Sequence, residues 1–139
     1  CCVADPTSMR YEPTVGLVGC AAAPAKNIET FDGKAAPVEG LRLFIPTDPA
    51  RWYQATCVIN FKTVGKSTAW AYLYEDETLI GSAQSLGEGM KDQLVLTRTF
   101  QPRKPGDSLY EVWWEGRPAT LYGENHSNAQ LVVTDLGTA

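Results

Sequence analysis

The sequence predicts an all-β protein, a single antiparallel β-sandwich of about eight strands with a jelly-roll-like arrangement. From Gly40 onward, short runs of alternating apolar and polar residues are separated by turn residues, roughly every eight to twelve positions. No stretch longer than about ten residues has the apolar i, i+3, i+4, i+7 spacing of an amphipathic helix. Two packed antiparallel sheets are the simplest way to bury short strands that are apolar on one face.

The clearest strand covers residues 53–61, where Tyr53, Ala55, Cys57, Ile59 and Phe61 alternate with mostly polar neighbours. This pattern predicts one buried and one solvent-facing side. A tight hairpin turn is expected at residues 75–77, although it lacks the glycine that two-residue turns favour. Further strands are predicted at residues 41–45, 68–74, 78–83, 94–100, 108–114, 119–122 and 130–134.

The composition changes near residue 40 and predicts two parts. Residues 1–40 are rich in alanine, glycine and proline, and prolines interrupt both helices and central strands. We therefore expect residues 1–40 to form an extended N-terminal arm or linker, with residues 27–31 as its best strand. Residues 41–139 are expected to form the sandwich.

Composition and charge narrow the classes of function. The chain has 139 residues, of which 44% are hydrophobic, so it can bury a core without metals. Its net charge of −4 argues against a nucleic-acid partner. No run approaches the roughly 18 apolar residues of a membrane helix, so no membrane partner is expected.

Four cysteines are present, and none has the paired spacing of a zinc site. We expect no metal and no cofactor. Cys57 falls on the apolar side of its strand and is predicted to be a buried small hydrophobe. Cys20 could form a disulfide with Cys1 or Cys2, whereas a leading cysteine is also found in lipidated bacterial proteins.

No catalytic constellation is visible, and the chain is predicted not to be an enzyme. His126 is the single histidine and lies in a polar loop, without a nucleophile motif such as G-x-S-x-G. The acidic run at residues 75–77 is interpreted as a solvated turn. Glu111 and Glu115 lie on or beside an aromatic strand, with no indication that they act as a pair of catalytic acids.

Aromatic residues are the most distinctive feature of the chain. Trp70, Tyr72 and Tyr74 occupy alternate positions of one predicted strand, and Trp113 and Trp114 are consecutive on another. Consecutive strand residues point to opposite faces, so one of Trp113 and Trp114 should be buried and the other outward. These five residues are the predicted protein interface, and the alternatives are ordinary packing at the edge of the sheet and stacking on a sugar.

Four segments of the chain carry a resemblance to a known family. They are AYLYEDETLIG at residues 71–81, LVLTRTFQP at 94–102, ATLYG at 119–123 and AQLVVTDLGTA at 129–139. In the same order, they resemble the segments ARLYRDGTLIG, LTLTRTFTP, ATLYA/G and AQLVVEDLGPA in the C-terminal domain of minor tail proteins from tailed bacteriophages that infect actinobacteria. Among the departures from these patterns are Glu77, Thr134 and Thr138.

The resemblance implies a virion structural protein in the tail or on the particle surface. Such a protein would assemble with itself, as a homo-oligomer such as a trimer, and with other virion proteins. The rival interpretation is a carbohydrate-binding sandwich module of a secreted or surface protein, with a host-surface glycan as its ligand.

Overall fold

Ten strands and no helix occur in the part of the chain described by the computed structural model, residues 15–23, 27–30, 34–116, 119–123 and 129–138. The all-β prediction is therefore confirmed. The strands are β1 (Gly16–Ala23), β2 (Ile28–Thr30), β3 (Ala36–Thr47), β4 (Arg51–Thr63), β5 (Lys66–Glu75), β6 (Thr78–Glu88), β7 (Asp92–Phe100), β8 (Gly106–Glu115), β9 (Ala119–Leu121) and β10 (Ala129–Thr138).

The strands form two antiparallel sheets. In sheet A the long strands have the order β1-β10-β4-β7, and in sheet B the order is β3-β8-β5-β6. Phe61 of β4 pairs with Asp92 of β7 and with Leu121 of β9, so β9 lies on the same side of β4 as β10. Because β2 pairs with β9, these two short strands lengthen sheet A at one end. The four long strands of the six-stranded sheet A and the four strands of sheet B, in these orders, make a jelly roll.

The sandwich begins before the predicted boundary at residue 40. Strand β1 pairs with β10 along its length, and the boundary itself falls inside β3. Strand β1 was not predicted because its small residues show no alternation of apolar and polar side chains. These small residues allow β1 to lie close to β3, since a Cβ atom on Gly19 would be 3.2 Å from Ile45. Pro37 is accommodated because β3 is an edge strand. The predicted strand at 27–31 is observed as β2, and Phe31 lies outside the described residues.

The core lies between the two sheets and is built on large side chains. The rings of Tyr53 and Phe100 are 6.0 Å apart, and those of Phe100 and Tyr110 are 5.4 Å apart. Each phenol in this group has a partner, since Tyr53 Oη accepts a hydrogen bond from Asp48 N and Tyr110 Oη donates one to Glu75. The largest fully buried side chains are Trp114, Tyr53, Tyr110, Phe61, Leu41, Ile59, Leu73, Leu96, Leu121, Leu131, Glu75 and Val112.

Glu75 corrects the interpretation of residues 75–77 as a solvated turn. It shares the inner face of β5 with Ala71 and Leu73, and it is buried with them. Its carboxylate accepts hydrogen bonds from Tyr110 Oη at 2.7 Å and from Arg103 N at 3.3 Å. The phenol in turn has a raised pKa, chiefly because of burial and then because of its bond to Glu75. The alternation of β5 places Glu75 on the buried side of the strand. The two acidic residues that follow it had suggested that all three are exposed in a turn.

The predicted hairpin turn is present, with Glu75 and Thr78 as its closing pair. Asp76 (φ 45°) and Glu77 (φ 70°) are both left-handed, the backbone of a type I′ turn. Asp76 is tied to β8 because Leu109 N donates to its carboxylate at 2.9 Å, and this bond is the main reason why its pKa is lowered. Glu77 is exposed.

We expect Glu77→Gly to raise the free energy of unfolding by roughly 0.5–1 kcal/mol, because glycine adopts positive φ without the clash of a Cβ atom. Urea denaturation of the two proteins measures the difference. Glu77→Ala is the control, since it removes the same carboxylate but keeps Cβ, and it should bring no gain. A glycine variant that is less stable than the native chain would contradict the strain argument.

The cysteines behave differently from one another. Cys20 is disulfide-bonded, and the predicted choice between Cys1 and Cys2 as its partner lies outside the described residues. Cys57 is a buried free thiol, as predicted, and burial raises its pKa from 9.0 to about 12.

The raised pKa of Cys57 predicts a loss of stability at alkaline pH. Above pH 9.0 the unfolded chain releases the thiol proton while the folded chain keeps it, so this contribution to stability declines until the folded pKa of about 12. The free energy of unfolding should therefore fall more steeply with pH than in Cys57→Ala, by up to about 1.4 kcal/mol per pH unit. Urea denaturation of both proteins from pH 8 to pH 11 tests this, and equal slopes would contradict it.

Candidate interaction surface

Four aromatic side chains meet on the outer face of sheet B. Trp70, Tyr72 and Tyr74 alternate along β5 with the buried Ala69, Ala71 and Leu73, so they point away from the core. Tyr72 pairs with Trp113 on the neighbouring strand β8, which brings Trp113 into the same row. We call Trp70, Tyr72, Tyr74 and Trp113 the aromatic face.

Trp114 does not belong to this face. It points inward from β8 and is 1% exposed, whereas Trp113 is half-buried on the outer side. The prediction that the two tryptophans divide between core and surface is confirmed. The structure places the other four predicted interface residues together and assigns Trp114 to the core.

The rings of the aromatic face are held by contacts within the chain. Those of Tyr74 and Trp113 lie 5.5 Å apart with a 54° tilt. Trp70 Nε1 donates a hydrogen bond to Gln84 Oε1 at 3.0 Å, and Tyr72 Oη donates one to Glu115 Oε1 at 3.1 Å. Burial and then Glu115 raise the pKa of Tyr72. Because the polar ends of Trp70 and Tyr72 are already paired, both rings are oriented before any partner binds.

Exposed aliphatic and aromatic residues extend the aromatic face. Leu79 pairs with Tyr74 and Leu86 pairs with Thr68, and these leucines are 50% and 55% exposed. At the other edge, Phe44 of β3 is 67% exposed. Sequence reasoning missed Phe44 because four strands lie between β3 and β8 in the chain, and only the observed strand order makes β3 and β8 neighbours. The sequence feature that could have revealed Phe44 is its position next to Ile45 in a strand, because neighbouring strand residues point to opposite faces and Ile45 is buried.

Three charged residues lie among these rings. Arg42 pairs with Glu111, and Glu111 pairs on its other side with Tyr74. Glu115 holds the phenol of Tyr72. The surface therefore combines apolar rings with a few charged side chains in fixed positions, a composition that is common in protein interfaces.

A shallow polar groove lies at the end of sheet A. Asn60, Lys91, Asp92 and Gln93 line a volume of about 390 Å³. Gln93 Nε2 donates a hydrogen bond to Asn60 Oδ1 at 3.0 Å, and Lys91 Nζ lies 4.9 Å from the centre of the Tyr122 ring. The amides and charges of the groove, with the Tyr122 ring beside Lys91, are groups that can contact a sugar.

No group of three or more His, Cys, Asp or Glu side chains within the described ranges could hold a metal ion. In the same part of the chain, no helix is long and apolar enough to cross a membrane. His126 lies outside the described residues.

Comparison with known proteins shows the fold. No protein-family model and no curated protein matches the chain. Murine APRIL, in a crystal structure at pH 5.0, is similar with a TM-score of 0.61 and 8% identity over 87% of this chain and 99% of that chain. Eiger TNF from S. frugiperda has a TM-score of 0.56 and 9% identity, over 89% and 95% of the two chains. At these identities the likeness establishes the fold alone, and the jelly-roll prediction is confirmed.

Proposed function

We propose that this chain is a virion structural protein, a bacteriophage minor tail or other particle-surface component, which acts by assembly and not by catalysis. The observation that carries the proposal is the aromatic face. Its four rings, with Leu79 and Leu86 on β6 and Phe44 further along the same face, leave a large apolar surface on the outside of sheet B, interrupted by Arg42 and Glu111. Large exposed apolar surfaces with polar residues around them mark sites of protein–protein contact.

The arrangement of the face favours a protein partner. Tryptophan and tyrosine are enriched at the centres of interfaces, where they bury large areas. Side chains that are ordered before binding lose less conformational entropy when a partner covers them. The bonds of Trp70 to Gln84 and of Tyr72 to Glu115 provide this ordering.

The virion assignment is supported by the resemblance to minor tail proteins. The four segments that carry it correspond to the β5–β6 hairpin and to β7, β9 and β10. Strands β7, β9 and β10 all pair with β4, so three of the four segments surround one central strand of sheet A. The disulfide of Cys20 is compatible with a particle surface, since disulfides persist in oxidising surroundings.

The test is the presence of the chain in purified particles. Particles from the source lysate are banded on a density gradient, and peptides of this chain are quantified by mass spectrometry across the fractions. We expect the chain to follow the particle peak at a constant ratio to the other structural proteins, also after a high-salt wash. A soluble enzyme of the same lysate is the control. A chain confined to the soluble fractions would overturn the proposal.

A carbohydrate-binding module is the second candidate, and the groove around Gln93 with Tyr122 at its side supports it. Host-surface glycans would be the ligands. Isothermal titration calorimetry with a broad panel of glycans tests this candidate. Binding that Tyr122→Ala abolishes would support it, and no heat from any glycan would exclude it.

A further inference from the structure

On the outer face of sheet A, three successive rows of paired residues across β10, β4 and β7 contain no charged side chain. The even-numbered residues of β4 point outward, opposite the buried odd-numbered ones, and their neighbours on β10 and β7 share this face. None of the outward residues is buried. We call these nine positions the neutral face: Gln130, Val58 and Val95; Val132, Thr56 and Thr97; Thr134, Gln54 and Thr99.

This lack of charge distinguishes the neutral face from ordinary protein surface. Charged residues make up 20% of the whole chain. At the roughly 30% that is typical of solvent-facing positions, about three of the nine would be charged. Val95 is 52% exposed, and strand β1 adds Leu17, the disulfide-bonded Cys20 and Ala22 to the same side, none of which is charged. Depletion of charge is the composition that marks the buried centre of interfaces.

We propose that the neutral face is the surface through which copies of this chain contact one another. The inference rests on the proposed function, because it names the self-contact of an assembling particle protein. A chain of net charge −4 repels its own copies, and in a symmetric contact a charged residue near the axis meets itself. Threonine, valine and glutamine can meet their own copies without this repulsion.

The size of the neutral face fits the central part of a subunit contact. Its three rows span five residues of β4, from Gln54 to Val58. Four strands about 4.8 Å apart, at about 3.3 Å per residue, present roughly 300 Å² of sheet surface over this length. A stable interface buries about 800 Å² on each partner. The neutral face with β1 therefore supplies somewhat less than half of the required area, as the uncharged centre of a larger contact.

The aromatic face is less suited to a copy of itself. Its rings lie among two carboxylates, Glu111 and Glu115, and only one cation, Arg42, so a symmetric contact there would bring a surplus negative charge towards that of the second copy. The two outer faces of the sandwich thus have different roles, with the neutral face for identical copies and the aromatic face for a different protein of the particle.

A pair of matched charge variants separates the two faces. Thr97→Glu adds a carboxylate to an exposed strand position of the neutral face, and Ser82→Glu adds one to an exposed strand position beside Tyr72 on the aromatic face. Light scattering after size exclusion measures the oligomeric state over a dilution series, and far-UV circular dichroism verifies folding. We expect an oligomeric native chain, unchanged by Ser82→Glu and weakened about 100-fold or more in self-association by Thr97→Glu.

Each alternative outcome counts against the inference. A native chain that is monomeric at every concentration overturns it, and so does a Thr97→Glu variant that assembles like the native chain. Dissociation by Ser82→Glu alone would place the self-contact on the aromatic face, which overturns the inference and leaves the proposed function standing. If Thr97→Glu does not fold, Val95→Lys on the same face replaces it. Absence from purified particles is a separate result that would overturn the proposed function only.

Discussion

Replacing Trp114 with alanine is expected to lower the free energy of unfolding by roughly 3–5 kcal/mol. Trp114 is the largest of the fully buried side chains and is 1% exposed, between Ala36 and Ala71 of the neighbouring strands. These small residues cannot expand into the space that the indole leaves. Guanidinium denaturation, followed by circular dichroism, measures the loss.

Trp113→Ala is the matched control for this prediction. It removes the same side chain from the next position of β8, but from the outer face, where the indole is half-buried. We expect a loss of about 1 kcal/mol or less, because little apolar surface is returned to water. If Trp114→Ala is too unstable to study, Trp114→Phe should lose less and still exceed Trp113→Ala. Equal losses at the two positions would contradict the assignment of the faces.

Replacing Arg51 with methionine is expected to cost roughly 3 kcal/mol, because it leaves a buried carboxylate without its counter-charge. Arg51 Nε lies 2.8 Å from Asp135 Oδ2, and Asp135 is fully buried. The other carboxylate oxygen accepts a hydrogen bond from Gly137 N at 2.8 Å, where the β10–β4 register shifts. The pair therefore fixes the irregular end of β10. Urea denaturation measures the effect.

The double variant Arg51→Met with Asp135→Asn separates lost pairing from lost packing. An asparagine side chain still accepts the bond from Gly137 N but carries no charge, so the double variant should be more stable than Arg51→Met alone. Arg103→Met, at an exposed arginine, serves as the surface control and should change the free energy of unfolding by no more than about 0.5 kcal/mol. A double variant less stable than Arg51→Met would show that the buried charge is not the cause.

The sequence by itself determined which residues face the core along most strands. Alternation over residues 53–61 predicted the buried side of β4, and the alternation of Trp70, Tyr72 and Tyr74 predicted their common outward face. It also determined that Trp113 and Trp114 divide between surface and core. These statements depend only on the two-residue period of a strand, which any sheet imposes locally.

Strand order and the choice of face were decided only by the tertiary structure. The period of a strand does not say which strands become neighbours, so the row from Tyr72 to Trp113 and the position of Phe44 on the same outer face could not be predicted. The place of β1 in sheet A was also missed, because its small residues show no two-residue period. Their role is visible only in the structure, where they allow β1 to pack closely against β3. Glu75 is the plainest case: its neighbours in sequence indicated a solvated turn, but the sheets close over it and Tyr110 supplies its partner.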